Sequence, residues 1–351
     1  MNKRISLMLT STALAGVLSL AAHGAHAQEL NIVSWGGITN EANDAAYWKP
    51  FEKKTGIKVN SDSFSGEIGK IRAQVESGNI QWDVAEPEYA EEAVGCMEGL
   101  YEKIDASRLP QGEIPDRYVT ECGITAALYG TILTYNHKKY GDDGPKTWQD
   151  FWDVKKFPGK RGLPKNVKLA PVFALLADGV DPSKIYEVLG TDEGQQRAFD
   201  KLDEIKDQII WWSSGTQQVQ GFISGEYDMA AVWNGRAADA NKTQGQQLEL
   251  VWDAGWVSDG NRWVILKGSP NYEAAMDYLA FATQAEHQAD YMRNIDYGVA
   301  NEKAYAMLTP EQLKYMPGSE EHKPSEIVED TMFWLDHLDS MTERFNNWVS
   351  K

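Results

Sequence analysis

Strand-like and helix-like runs alternate at short spacing along this chain, and that alternation restricts the fold more than any other feature. Leu30-Asn31-Ile32-Val33-Ser34-Trp35 reads as a strand and ends at Gly36-Gly37. A helix follows, with Thr39 or Asn40 placed to cap it, Ala45, Trp48 and Phe51 on its inner face, and Gly56 to stop it. Ile57-Lys58-Val59 is a second strand, Ile68 to Glu76 a second helix, and Trp82-Asp83-Val84-Ala85 a third strand. The β-α-β-α-β order predicts a mainly parallel sheet with helices on its faces.

The rhythm breaks at the strand-like run Thr131 to Asn136. His137-Lys138-Lys139-Tyr140 is too short for a helix of its own, and Gly141-Asp142-Asp143-Gly144-Pro145 makes a loop. A short aromatic helix over Trp148 to Asp153 ends at Phe157-Pro158-Gly159. A second α/β set then begins. Gln195 to Gln208 is helical with Phe199, Leu202 and Ile205 inward, and Tyr227 to Trp233 and Leu248 to Trp252 are strands. Trp263 to Leu266 is a strand returning towards the first set, and Asn271 to Phe281 is an amphipathic helix. The last helix carries Trp334, Leu338, Met341, Phe345 and Trp348 at helical spacing.

The first residues set the compartment. Lys3 and Arg4 precede an apolar stretch from Ile5 to Ala22, and Ala25-His26-Ala27 has the small-residue cleavage pattern. This reads as a signal peptide, residues 1–27, cleaved after Ala27, with export to a bacterial periplasm. The formal charge is −18, and loss of Lys3 and Arg4 makes it two units more negative. Such a chain repels nucleic acid and anionic membrane surfaces. Two cysteines, Cys96 and Cys122, in an oxidising compartment predict one disulfide. His137, His287, His322 and His337 have no zinc-ligand spacing, so no metal or other cofactor is expected. Gly66-Glu67-Ile68-Gly69-Lys70-Ile71 falls short of a phosphate loop, and no G-x-S-x-G or H-E-x-x-H is present. Nothing demands an enzyme.

Thirteen tryptophans carry more information. Trp35 precedes Gly36-Gly37, Trp233 precedes Asn234-Gly235, and Trp256 and Trp263 flank Ser258-Asp259-Gly260. In α/β sheets ligands sit beyond the carboxyl ends of strands. An aromatic there can wall in an apolar stem or a cation. Each tryptophan alone is better explained by core packing. Together, Trp35, Trp233 and the 256–263 loop predict a ligand box.

Several segments resemble the bacterial solute-binding proteins of ABC importers, and most closely their spermidine/putrescine-binding branch. These are Phe51-Glu52-Lys53-Lys54-Thr55-Gly56-Ile57-Lys58-Val59, Trp148-Gln149-Asp150-Phe151-Trp152-Asp153, Phe157-Pro158-Gly159-Lys160-Arg161-Gly162, Val232-Trp233-Asn234-Gly235, and the run from Trp263 through Gly268-Ser269-Pro270-Asn271. The resemblance implies an α/β, two-lobed periplasmic-binding-protein fold of type II, with the ligand cleft between the lobes. Lobe 1 would be 28–136 plus 255–308, and lobe 2 would be 137–254 plus 309–351. It also implies a receptor that captures a small solute, closes on it, and delivers it to a membrane permease. A monomer is expected.

The family's cleft aromatics carry over onto Trp35 and Trp233. Its polyamine-anchoring acids do not: they fall near Asn166, Leu169 and Asn261, with Lys168, Arg236 and Arg262 close by in sequence. A polyamine needs carboxylates at both ends, because a desolvated ammonium is costly unpaired. The exchange of acids for amides and bases favours a zwitterion, an ω-amino acid such as 4-aminobutyrate, with putrescine and spermidine still open. The candidate ligand set is Trp35, Gly36, Glu86, Glu88, Lys168, Trp233, Asn234, Arg236, Asp259 and Asn261. Glu86, Glu88 or Asp259 would meet the amine and one of the cations the carboxylate. The competing readings are a secreted carbohydrate-active enzyme and a sugar-binding receptor of the same superfamily. An iron receptor would favour a Tyr-Tyr pair, which the chain lacks.

Overall fold

The computed structural model describes residues 29–64 and 66–351. The leader and its cleavage point lie outside the described residues. Ten strands are formed among the described residues: β1 (Glu29–Ser34), β2 (Lys58–Ser63), β3 (Val84–Ala85), β4 (Gly123–Asn136), β5 (Arg161–Pro164), β6 (Ile209–Trp212), β7 (Met229–Trp233), β8 (Leu248–Leu250), β9 (Trp256–Ile265) and β10 (Glu326–Val328). They make one sheet in the order β2-β1-β3-β9-β4-β7-β5-β6, with β8 added to β4 and β10 to β9. The outer thirds are parallel: β1 pairs with β2 and β3, and β5 with β6 and β7. Antiparallel β9 and β4 join them in the middle. The alternation read from the sequence therefore yields two parallel α/β sets, each packed under helices.

Two large apolar cores lie along this sheet. Leu30, Ile32, Val84 and Ile265 anchor the first, under the helices Lys49–Thr55, Tyr272–Ala282 and Ala285–Asn294. Leu163, Phe173, Phe199 and Trp334 anchor the second, under the helices Ala170–Ala177, Asp192–Asp203 and Thr331–Val349. Two strands serve both. β4 gives Ile124 and Leu128 to the first core and Leu133 and Tyr135 to the second, while β9 gives Val257 to the second and Trp263 to the first. The changeover falls where Gly130 pairs with Ser258. A Cβ on Gly130 would stand 2.6 Å from the Trp256 ring, so only glycine fits there. In the tail, Met316 still packs in the first core and Ile327 in the second.

The disulfide joins Cys96, at the end of the helix Tyr89–Met97, to Cys122 just before β4, with the Cα atoms 5.8 Å apart. Closing a loop of this length stabilises the fold by about 3 kcal/mol in the chain-entropy view.

Four local readings are corrected. Ser258-Asp259-Gly260 is no turn: β9 runs unbroken from Trp256 to Ile265 and is buried throughout, because it has strand neighbours on both sides. Ala45 faces solvent while Ala46 and Tyr47 are buried, since the chain winds as a π-helix over Asp44–Trp48 and the wider turn rotates the inner face. Neither Thr39 nor Asn40 caps that helix. It starts at Gly37, and Gly36, at φ 71° and ψ −179°, makes the entry in a conformation open to glycine alone. His137–Tyr140 does form one helical turn, because the Asn136 side chain accepts the Lys138 N–H and caps it.

Candidate ligand cavity

A small cavity of about 130 Å³ is walled by residues from both α/β sets. It is lined by Trp35, just past β1, by Trp233, the last residue of β7, and by Thr39, Glu88, Ala127, Tyr129, Arg236, Asn261, Tyr291 and Tyr297. Both tryptophans thus stand at carboxyl ends of parallel strands, where such sheets hold ligands. The walls are held firmly. Trp35 donates its indole N–H to the Glu86 carbonyl at 2.8 Å and leans on Phe64, with the ring centres 5.4 Å apart. Trp233 is wedged edge-on between Tyr129 and Trp212, at 6.1 and 5.6 Å. A wider groove of about 510 Å³ beside Trp252 and His322 shares none of these residues.

The cavity lining carries opposite charges, a cation at Arg236 and an acid end around Glu88. Arg236 rises from the helix Asn234–Thr243 that follows β7. Its Nε is buried and has no hydrogen-bond partner, and the guanidinium also faces the Tyr297 hydroxyl. A buried N–H without a partner carries a cost of about 1–3 kcal/mol, which an incoming carboxylate would remove. At the acid end the Tyr129 hydroxyl lies 3.3 Å from both Glu88 Oε1 and Asp259 Oδ2. It has one hydrogen to give, and Asp259 also accepts the Gly260 N–H at 2.7 Å, so Glu88 is the carboxylate left short of a donor.

Behind Tyr129, Lys168 Nζ stands 2.7 Å from Glu329 Oε1 and 3.8 Å from Asp259 Oδ2. Burial pushes the Glu88 carboxyl up to about 7, with Asp259 adding to the rise and Lys168 opposing it. Burial and Asp259 likewise push Glu329 up to about 8 against the pull of Lys168. For Lys168 burial acts downward, but Asp259, Glu329 and Glu88 outweigh it and hold the ammonium above its ordinary value. Glu91 sits nearby, raised by burial, with one carboxylate oxygen buried and unpartnered.

Of the residues singled out from the sequence, Trp35, Glu88, Trp233, Arg236 and Asn261 line the cavity. The others do not. Gly36 shapes the turn beside Trp35 and gives its N–H to Asn40. Glu86 is framework: its carboxylate accepts from Ser34, Asn43 and Trp263, and it is 2% exposed. Asn234 is fully buried and ties the changeover together, accepting the Gly130 N–H and donating to the carbonyls of Asp296 and Tyr315. Lys168 and Asp259 stand behind Tyr129. Arg262 is taken up by Glu92 at 2.9 Å and lies 3.9 Å over the Tyr89 ring. Trp256 and Trp263 are fully buried core, so the box they were expected to complete is made by other rings.

Thr39, Ala127, Tyr129, Tyr291, Tyr297 and Glu329 were not foreseen. The signal for two of them lies in strand pairing, since Tyr129 pairs with Asp259 and Ala127 with Asn261 across β4 and β9.

Residues 46–317 match the family described as bacterial extracellular solute-binding protein. The chain is similar to a gamma-aminobutyric acid-binding protein of Pseudomonas aeruginosa, 38% identical over 340 residues and 96% of each chain. It is also similar to a putrescine-binding periplasmic protein of the same species, 24% identical over 98% of this chain and 96% of the relative. A solved structure described as a GABA receptor superposes with a TM-score of 0.82 at 34% identity, covering 92% of this chain and 98% of the other. With that fold, that coverage and a solute-sized cavity between two α/β sets, the chain belongs to the bacterial extracellular solute-binding proteins and is a binding protein rather than an enzyme.

Proposed function

We propose that this protein is the periplasmic receptor of an ABC importer for an ω-amino acid such as 4-aminobutyrate, which it hands to a membrane permease. The observation that carries this reading is the pairing of an unpartnered Arg236 Nε with the Glu88 carboxylate in one aromatic-walled cavity. The ligand carboxylate would take Arg236 through charge-assisted hydrogen bonds. The amine would take Glu88, with Asp259 behind it. The methylene stem would lie between Trp35 and Trp233. The GABA-binding relative supports the same ligand class. In this reading the lobes are 28–136 with 255–308 and 137–254 with 309–351, and a monomer closes by bending at the crossings near Tyr135–His137, Asp253–Gly255 and after Leu308.

Calorimetry with 4-aminobutyrate and putrescine tests the reading. Binding of the amino acid at micromolar concentration or below, lost in Arg236→Met, is the expected result. Tight binding of putrescine with none of 4-aminobutyrate would overturn it. Small-angle scattering should show a smaller radius when the ligand is bound.

A further inference from the structure

Three carboxylates, those of Glu88, Asp259 and Glu329, converge near one lysine. Lys168 Nζ makes a 2.7 Å contact with Glu329 and lies 3.8 Å from Asp259. The side chains are 13% exposed for Lys168, 2% for Glu329 and 12% for Asp259, so solvent screens these charges poorly. Tyr129 links Asp259 to Glu88, which lines the cavity, so Lys168 and the acid end form one electrostatic unit. The lysine is also fixed in place. Its N–H is held by Asn166 Oδ1 at 2.7 Å, and its neighbours Val167 and Leu169 are buried in the second core.

Such a group of acids would draw more than one cation if left alone, because a buried carboxylate without a counter-charge is costly. Lys168 supplies one from within the chain. Its charge acts differently on different ligands. It repels the amine of a zwitterion but attracts its carboxylate, whereas it repels both ends of a diamine.

We propose that Lys168 is a specificity-determining residue, whose ammonium offsets the surplus negative charge of the acid end, so that the site takes one ligand ammonium with a carboxylate at its far end and turns diamines away. This rests on the reading of the cavity given above, and names what sets its choice of substrate class.

The test compares putrescine and 4-aminobutyrate by calorimetry on the full chain. In Lys168→Met the ratio of putrescine to 4-aminobutyrate affinity should rise at least tenfold. Lys168→Arg, which keeps the charge, should leave the ratio near that of the unaltered protein. A purely structural ion pair would weaken both ligands together and leave the ratio unmoved, and that result in folded Lys168→Met overturns the proposal. Should this variant fail to fold, Lys168→Gln, which can still hydrogen-bond to Glu329, is judged by the same ratio. Failure of the unaltered protein to bind any ω-amino acid overturns the functional reading instead. Putrescine affinity alone then decides on Lys168: a tenfold gain in Lys168→Met upholds its role and an unchanged value overturns it.

Discussion

Glu86 and Glu88 stand two residues apart, and burial pushes both carboxyls up to about 7, yet they belong to different parts of the protein's work. Glu86 is surrounded by neutral donors that satisfy it: the Ser34 hydroxyl, the Asn43 amide and the Trp263 indole. Glu88 shares a single tyrosine hydrogen with Asp259 and borders an open cavity. A buried acid whose oxygens are all taken holds structure together. A buried acid left short of donors beside a cavity is ready for a ligand. Perturbed acidity alone does not separate the two; the partner count does.

The largest effect should fall on stability. Glu86→Ala would leave three buried donors without an acceptor, at about 1–3 kcal/mol each before relaxation. Urea unfolding should show a loss of about 3 kcal/mol or more, and a loss below about 1 kcal/mol would break the contrast. Glu88→Gln should do the reverse. It should weaken 4-aminobutyrate binding by about 1.5–3 kcal/mol, the range for hydrogen bonds to charged groups, and change stability little. If instead Glu88→Gln unfolds the protein and leaves the affinity of the folded fraction intact, the two roles have been assigned the wrong way round.

The walls come next. Trp233→Ala should cost about 1–3 kcal/mol of binding while the fold survives, since its ring lines the cavity. Unaltered affinity in both Trp233→Ala and Trp35→Ala would return these rings to simple packing.

The smallest effects are in pH dependence, and their signs differ. The folded chain holds the Glu86 proton up to about 7, whereas an unfolded glutamate releases it near 4.5. Stability carried by this group therefore falls as pH rises through that window, and Glu86→Gln should flatten the decline. Binding should move the other way. A ligand ammonium prefers ionised Glu88, so affinity should rise, by up to about tenfold, between about pH 6 and about pH 8. Asp259, Glu91 and Lys168 face the same carboxyl and set where the rise is centred. A calorimetric profile that is flat in this range would count against Glu88 as the amine's partner.

What the sequence made legible was local. The two parallel sets follow from alternation, and the helix stop at Gly56 from a glycine that takes up φ 77°. Trp334, Met341 and Phe345 show their inward face by spacing alone, although Leu338 on the same register is 38% exposed. Polar Ser258, Asp259 and Gly260 looked like a turn because a buried strand seldom carries them. They are tolerated in β9 because Asp259 meets the Tyr129 hydroxyl, while Asn261 lines the cavity and bridges to Glu88. Tyr129 and Glu329 could not be read from neighbours in sequence. One is placed by the pairing of β4 with β9, and the other comes from the tail, just after β10 pairs with β9. The cation that lines the cavity was likewise hidden among three equal candidates until Arg262 and Lys168 proved to be paired with Glu92 and Glu329.

The place of β9 between β3 and β4 has a consequence for how this chain comes into being. β3 and β4 are both made early, yet they do not pair with each other, and the strand that joins them is completed only at Ile265. Met316, which closes the same core, follows later still. A chain emerging from its amino terminus must therefore keep the open edges of both strands unpaired while the intervening segment is produced. Contacts so distant in sequence slow folding and lengthen the time during which bare edges can find the wrong partner. Cys96 and Cys122, by contrast, are both present before β4 has formed. The bond between them can give that waiting half its first fixed point.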